Sequence, residues 1–96
     1  MQVLSRDKLT KFSKKHANSK GALDAWFDEV SKKECAWSTT HDIKDRYPSA
    51  DFLADNRVIF NIKGNHYRLV VEVRYQNGFV VVEWVGTHAE YDKKSF

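Results

Sequence analysis

Ninety-six residues suffice for one domain with one small core, and the chain is read as a single domain over residues 1–96. Its composition is globular, 42% hydrophobic and 30% charged with four Gly and one Pro, and no apolar run is long enough to span a bilayer. The formal charge of +3 permits nucleic-acid binding without demonstrating it, and the lone Cys35 excludes an internal disulfide or a cysteine-based zinc cluster.

Met1 to Leu4 is short and apolar-biased, suited to an edge strand. Ser5 is placed to cap a helix over 6–17, with Asp7 in its first turn, Leu9 and Phe12 inside, and Lys8, Lys11, Lys14 and Lys15 over the rest. Lys20-Gly21 breaks the pattern. A second helix fits 22–34, where Leu23, Trp26, Phe27 and Val30 recur at three-and-four spacing. The two form a hairpin whose apolar stripes need a sheet to pack on. In 36–56 one short helix is expected, capped by Thr39 or Thr40 and ended by Pro48, with one or both of Phe52 and Leu53 pinning the segment to the core. Cys35 reads as a small buried or half-buried hydrophobe, and His16 and His41 as surface residues.

From Arg57 the period changes to two. RVIFNI, HYRLVVEVRY and FVVVEWVG read as three strands of an antiparallel meander, joined at Lys63-Gly64-Asn65 and Gln76-Asn77-Gly78. Parity places Tyr67, Leu69, Val71, Val73 and Tyr75 on one face and His66, Arg68, Val70, Glu72 and Arg74 on the other. In the last strand Val80, Val82 and Trp84 form one set, and Phe79, Val81, Glu83 and Val85 the second. The face with Glu72 and Glu83 is expected to be open to solvent, with His66, Arg68 and Arg74 lining it. The fold class expected is α+β, an antiparallel sheet with the helical hairpin on one face.

Charge is spread unevenly. Residues 1–20 carry six Lys or Arg against one Asp, a net +5; residues 21–60 carry five against eight acids, a net −3; residues 61–96 carry five against four, a net +1. The first helix is therefore the basic element, and Lys11, Lys14 and Lys15 are candidate phosphate contacts.

Beyond the last strand, Thr87-His88-Ala89-Glu90-Tyr91-Asp92 gathers four ionisable or phenolic groups in five residues. His88 accepts and donates protons near neutral pH. Tyr91, three residues on, shares its side if the segment makes a helical turn. Arg68, on the neighbouring strand, offers a rigid fork for phosphate. A base, a phosphate ligand and an acid are what RNA cleavage by the internal 2′-hydroxyl requires, with no metal or other cofactor. The competing readings are structural: a surface histidine, a packing tyrosine, an Arg68 paired with Glu72 or Glu83, and a solvated lysine face. Lys63 sits in a turn from which it could reach RNA.

FNIKGNHYRLVVEVRYQNGFVVVEWVGTHAEYDK carries a more specific signal. Phe60-Asn61-Ile62, Gly64-Asn65, Tyr67-Arg68-Leu69 and the closing Thr87 to Asp92, in this order and spacing, resemble the HigB-type toxins of bacterial type II toxin–antitoxin systems, within the RelE/ParE superfamily. The resemblance runs over nearly the whole chain. It implies a microbial RNase-type α+β fold and an endoribonuclease that cuts messenger RNA, generally as it is translated in the ribosomal A site. It implies as partners the mRNA and ribosome and a cognate helix-turn-helix antitoxin of HigA type, with operator DNA bound only through the antitoxin. By the same resemblance Arg68 stabilises the transition state, and Tyr91 or His88 acts as base. His88 could instead be acid or phosphate ligand, Lys63 adds charge, and Asp92 could orient His88. The chain departs from RelE-like members in carrying histidine where they often carry arginine. A non-catalytic RNA-binding module and a protein-interaction module are the alternatives. The N-terminus lacks a signal-like apolar region, so the expected location is the cytoplasm, with no membrane partner.

Overall fold

β1 (Gln2–Leu4) leads into α1 (Asp7–Lys15), a 3₁₀ turn at Ala17–Ser19, and α2 (Lys20–Val30). The computed structural model describes residues 1–96. Ser5 does not cap α1: it adopts a left-handed φ of 64°, turning the chain out of β1, and its carbonyl accepts from the Lys8 N–H. Lys20-Gly21 does not break the helical pattern but forms the first turn of α2, which ends at Val30, four residues short of the expected limit. Leu23, Trp26 and Val30 make its buried stripe. α3 (Thr40–Arg46) begins in a capping box: Thr39 Oγ1 accepts from the Asp42 N–H, and Asp42 accepts from the Thr39 N–H. It ends before Pro48, which disfavours helical backbone at Tyr47.

β2 (Asp51–Leu53), β3 (Arg57–Ile62), β4 (Tyr67–Arg74) and β5 (Phe79–Thr87) follow, and α4 (His88–Asp92) closes the fold. The sheet order is β1-β5-β4-β3-β2. Pairing is antiparallel except at β1, which runs parallel to Phe79–Val81, so the sheet is mixed. β2 carries no periodic signal because it is only three residues long. Neither Phe52 nor Leu53 joins the core cluster: Phe52 is 36% exposed on the edge strand, and Leu53 is half-buried outside it. Ile43 and Ala50 are buried there instead, with Tyr47 packed beside them.

One cluster of 16 buried residues joins Leu9 of α1, the stripe of α2 and Ile43 of α3 to the inner sheet face, which includes Phe60, Leu69, Val71, Val73, Val80 and Val82. Each such side chain contributes about 1.5–3 kcal/mol when withdrawn from water. The parity expected for the last strand holds only to Val82. Val71 pairs with Val82 but Val70 pairs with Trp84, so Glu83 is an extra residue in a β-bulge. Beyond it the faces exchange. Trp84 joins the outer face, and Val85 packs against the core. The outer face also buries Ile59 and Val70, which lie outside the main cluster.

Leu69, fully buried, should cost about 2–5 kcal/mol as Leu69→Ala, whereas Phe52→Ala should change stability by no more than about 0.5 kcal/mol. Urea denaturation of the two variants checks the assignment of core and edge.

Candidate active site

Register brings the outer-face groups together. The loop at 63–66 pairs Ile62 with Tyr67, which sets Asn61 opposite Arg68, and the bulge sets Gly86 opposite Arg68 on the other side. Thr87 then starts α4 at the end of β5, so that His88 and Tyr91 return over the sheet.

Arg68 is the hub. Its Nε lies 3.4 Å from both ring nitrogens of His88, so it approaches the imidazole broadly rather than pointing at one atom. Its guanidinium carbon stands 4.6 Å from the Tyr91 ring centroid, a cation–π contact. One terminal nitrogen is 3.9 Å from Asp51. The Arg68 side chain remains 21% exposed, which leaves its fork open to an anion from solvent. The expected pairing of Arg68 with Glu72 or Glu83 does not form: Glu72 pairs with Arg74, and Glu83 with Arg57.

Asn61 orients His88. The Asn61 amide nitrogen donates to the Ser49 carbonyl at 3.2 Å, which turns its oxygen to His88 Nε2, also at 3.2 Å. That oxygen can only accept, so Nε2 carries the hydrogen and the lone pair of the neutral ring is on Nδ1. Asp92 is exposed and makes no bond to His88.

α4 is held by a second capping box. Glu90 accepts from the Thr87 N–H at 2.8 Å, and Thr87 Oγ1 accepts from the Glu90 N–H at 3.1 Å. The Thr87 N–H holds the Glu90 carboxyl below the usual carboxylate range, assisted by the Thr87 hydroxyl and by charge on His16 and Lys15. His16 and Lys15, at the C-terminal end of the basic helix, are thus near enough for their charge to be felt at Glu90. His16 is not a free surface residue. It is half-buried and stacked on Phe12 at 4.4 Å, whereas His41 is exposed beside Asp45.

The other expected contacts lie around this centre at different distances. Lys11 and Lys15, with Lys8, line a groove of about 350 Å³ against Glu83, Trp84 and Val85. Lys14 is exposed and outside it. Lys63, at a left-handed φ of 53°, borders a small groove with Glu29, Arg46, Tyr47 and Asn61 on the helix side. His66 is exposed in the turn beside Tyr67. Arg74 does not share the Arg68 surface. Six residues along a strand separate them by about 20 Å, and Arg74 bonds Glu72 at the far end of the sheet.

Asn61, Asp51 and Trp84 are the members of the constellation that sequence reasoning missed. The polar side chain inside the apolar run RVIFNI was the visible signal for Asn61. Asp51 and Trp84 had none, since one depends on an unpredicted strand and the other on a bulge.

The family model for a RelE-like toxic component of a toxin-antitoxin system matches residues 19–94, most of the chain. The chain belongs to the HigB toxin family. The match covers α2 through α4 and so includes every residue of the Arg68 cluster. The α+β architecture agrees with a RelE-like toxin fold. A HigB toxin is one half of a toxin–antitoxin pair, so its partner is an antitoxin. No match was found among curated proteins. No helix is long and apolar enough to cross a membrane.

The capping box makes the HigB α4 acid-sensitive. The folded carboxyl of Glu90 titrates below its unfolded value, so its support of α4 is present above the ordinary carboxylate range and is lost as pH falls through the depressed folded value. A carbon-detected NMR titration should give Glu90 a lower midpoint than a glutamate in an unstructured peptide, and Glu90→Gln should remove the acid dependence of α4 order.

Proposed function

We propose that this HigB toxin is a metal-independent endoribonuclease that cleaves messenger RNA, acting on translated mRNA in the ribosomal A site. The observation that carries the reading is the meeting of Arg68, His88 and Tyr91 on one partly open patch, with the histidine tautomer set by Asn61. The 2′-oxygen attacks the adjacent phosphorus, and its proton passes to Nδ1 of His88. Arg68 balances the charge gathering on the phosphate oxygens. The P–O5′ bond breaks, leaving a 2′,3′-cyclic phosphate; the departing 5′-oxygen takes the Tyr91 hydroxyl proton, and the phenolate regains a proton from the His88 imidazolium through water, restoring both groups. Asn61, rather than Asp92, keeps His88 aligned. Lys11 and Lys15 hold flanking phosphates, with Lys14, Lys63 and His66 as more distant contributors to the basic surroundings. Arg74 stands too far along β4 to share them. The cognate antitoxin is proposed to be a helix-turn-helix protein of HigA type that alone contacts operator DNA, and the toxin to act in the cytoplasm.

Cleavage-site mapping in a translating extract tests this. Discrete cuts in translated codons are expected, dependent on ribosomes. His88→Ala should lower the rate by roughly 10²–10⁴-fold and Arg68→Ala by about 10²–10³-fold, while Asp92→Asn leaves it near wild type. No cutting by folded wild-type protein would return the chain to the class of RNA-binding or interaction modules.

Neutralising Lys11 and Lys15 together should weaken ribosome or RNA binding and flatten its salt dependence by up to about two phosphate contacts. Unchanged binding at low salt would leave those lysines as a solubility device.

A further inference from the structure

Trp84 has no place in the chemistry above, yet it stands beside it. Of the three tryptophans, Trp26 and Trp37 are buried in the core, while Trp84 is half-exposed on the outer face. A Cβ on Gly86 would come within 2.4 Å of its ring, so the indole lies over Gly86, the strand position opposite Arg68. Tyr91, which touches Arg68 with its ring, meets Trp84 at 6.1 Å between centroids. Phe96 sits in the corner that the two rings form, at the third vertex of a near-equilateral triangle of rings. It stacks on Tyr91 at 5.5 Å and an interplanar angle of 17°, and meets Trp84 edge-on at 5.7 Å. The segment carrying it, Lys93 to Phe96, is exposed throughout and outside any helix, and Phe96 itself is 38% exposed.

A planar π-ring is therefore held, lightly, in a slot with a tyrosine floor and a tryptophan wall. The slot lies one ring away from the guanidinium assigned to the phosphate. On its other side Trp84 borders the groove of Lys8, Lys11 and Lys15. An aromatic slot between a cationic groove and a cationic centre has the composition of a single-strand binding surface, in which bases stack while phosphates follow the charge.

We propose that the Trp84–Tyr91 slot is a nucleobase-stacking subsite, occupied in the free toxin by Phe96, and that RNA binds by displacing that ring. The inference rests on the nuclease reading for its substrate class. It is tested by binding, separately from cleavage.

The probe is a short mixed-sequence 2′-O-methyl oligoribonucleotide, which cannot be cut through its 2′-oxygens, compared with the same backbone made abasic. Binding is followed by anisotropy of a dye on the oligonucleotide. Wild type should favour the base-bearing strand by roughly five- to a hundredfold. Trp84→Leu keeps an apolar cover over Gly86 but has no π-face, and it should lose most of that preference while keeping its affinity for the abasic strand. Phe96→Ala, remote from the core, should bind the base-bearing strand more tightly than wild type and the abasic strand unchanged. Equal binding of the two strands by wild type would show a phosphate-only surface and overturn the proposal. An unaltered preference in Trp84→Leu, or weaker base-dependent binding in Phe96→Ala, would also overturn it. Base-dependent binding by a protein that cuts no RNA would sink the nuclease reading and keep the subsite. Cutting without base-dependent binding would do the reverse.

Discussion

One extra residue in β5 sets the geometry of the whole outer face. The antiparallel ladder allows one residue per side-chain alternation, and Glu83 breaks that count between Val82 and Trp84. With an unbroken ladder, Trp84 would point into a core already filled by Val71, Val82 and Leu69, where an indole has no room. Val85 would point to solvent, and Gly86 would turn away from Arg68. The bulge removes these conflicts together. It also fixes where Thr87 ends the strand, and hence where α4 sets down His88 and Tyr91.

Arg68 converts that geometry into a centre. Three elements reach it: α4 through His88 and Tyr91, β2 through Asp51, and β3 through Asn61 by way of the imidazole. Each contact is individually weak. Asp51 is 60% exposed and 3.9 Å away, so its pairing with Arg68 is heavily screened. Their combined effect is orientation, because a planar guanidinium held by a ring on one side and an imidazole on the other has little freedom left. The exposed Asp51 carboxylate is the opposite charge beside Arg68, and solvent screening leaves much of the guanidinium charge available to the phosphate proposed above.

The sequence carried the parts whose period is long enough to be read. The three strands from Arg57 onward, the buried stripe of α2, the Thr39 cap and the outward face of Arg68 all followed from alternation or capping chemistry. What was not legible depends on contacts between segments. Ser5 could not be recognised as a left-handed turn residue, because the pull comes from β1 entering the sheet parallel to β5. β2 is too short to show alternation, so neither Asp51 beside Arg68 nor the exposure of Phe52 could be foreseen. Arg74 shares the parity of Arg68 but not its neighbourhood, since parity fixes a face and not a position along it. Asp92 was offered as the partner of His88 because it is near in sequence. Asn61 is the partner because a hairpin register makes it near in space.

β1 covers only Phe79–Val81, so from Val82 onward β5 has no strand beside it on that flank. An uncovered strand flank invites pairing with another chain. Lys8 stands there and donates to the Glu83 carbonyl at 3.1 Å, at the kink of the bulge. An ammonium in that position repels a like copy of the same edge, and the kink spoils the template. Lys8, on the same helix as the lysines proposed to hold RNA phosphates, thus guards the open flank of β5. Loss of the charge at Lys8 would leave that flank open to strand pairing, a cost separate from any loss of the RNA contacts proposed for α1.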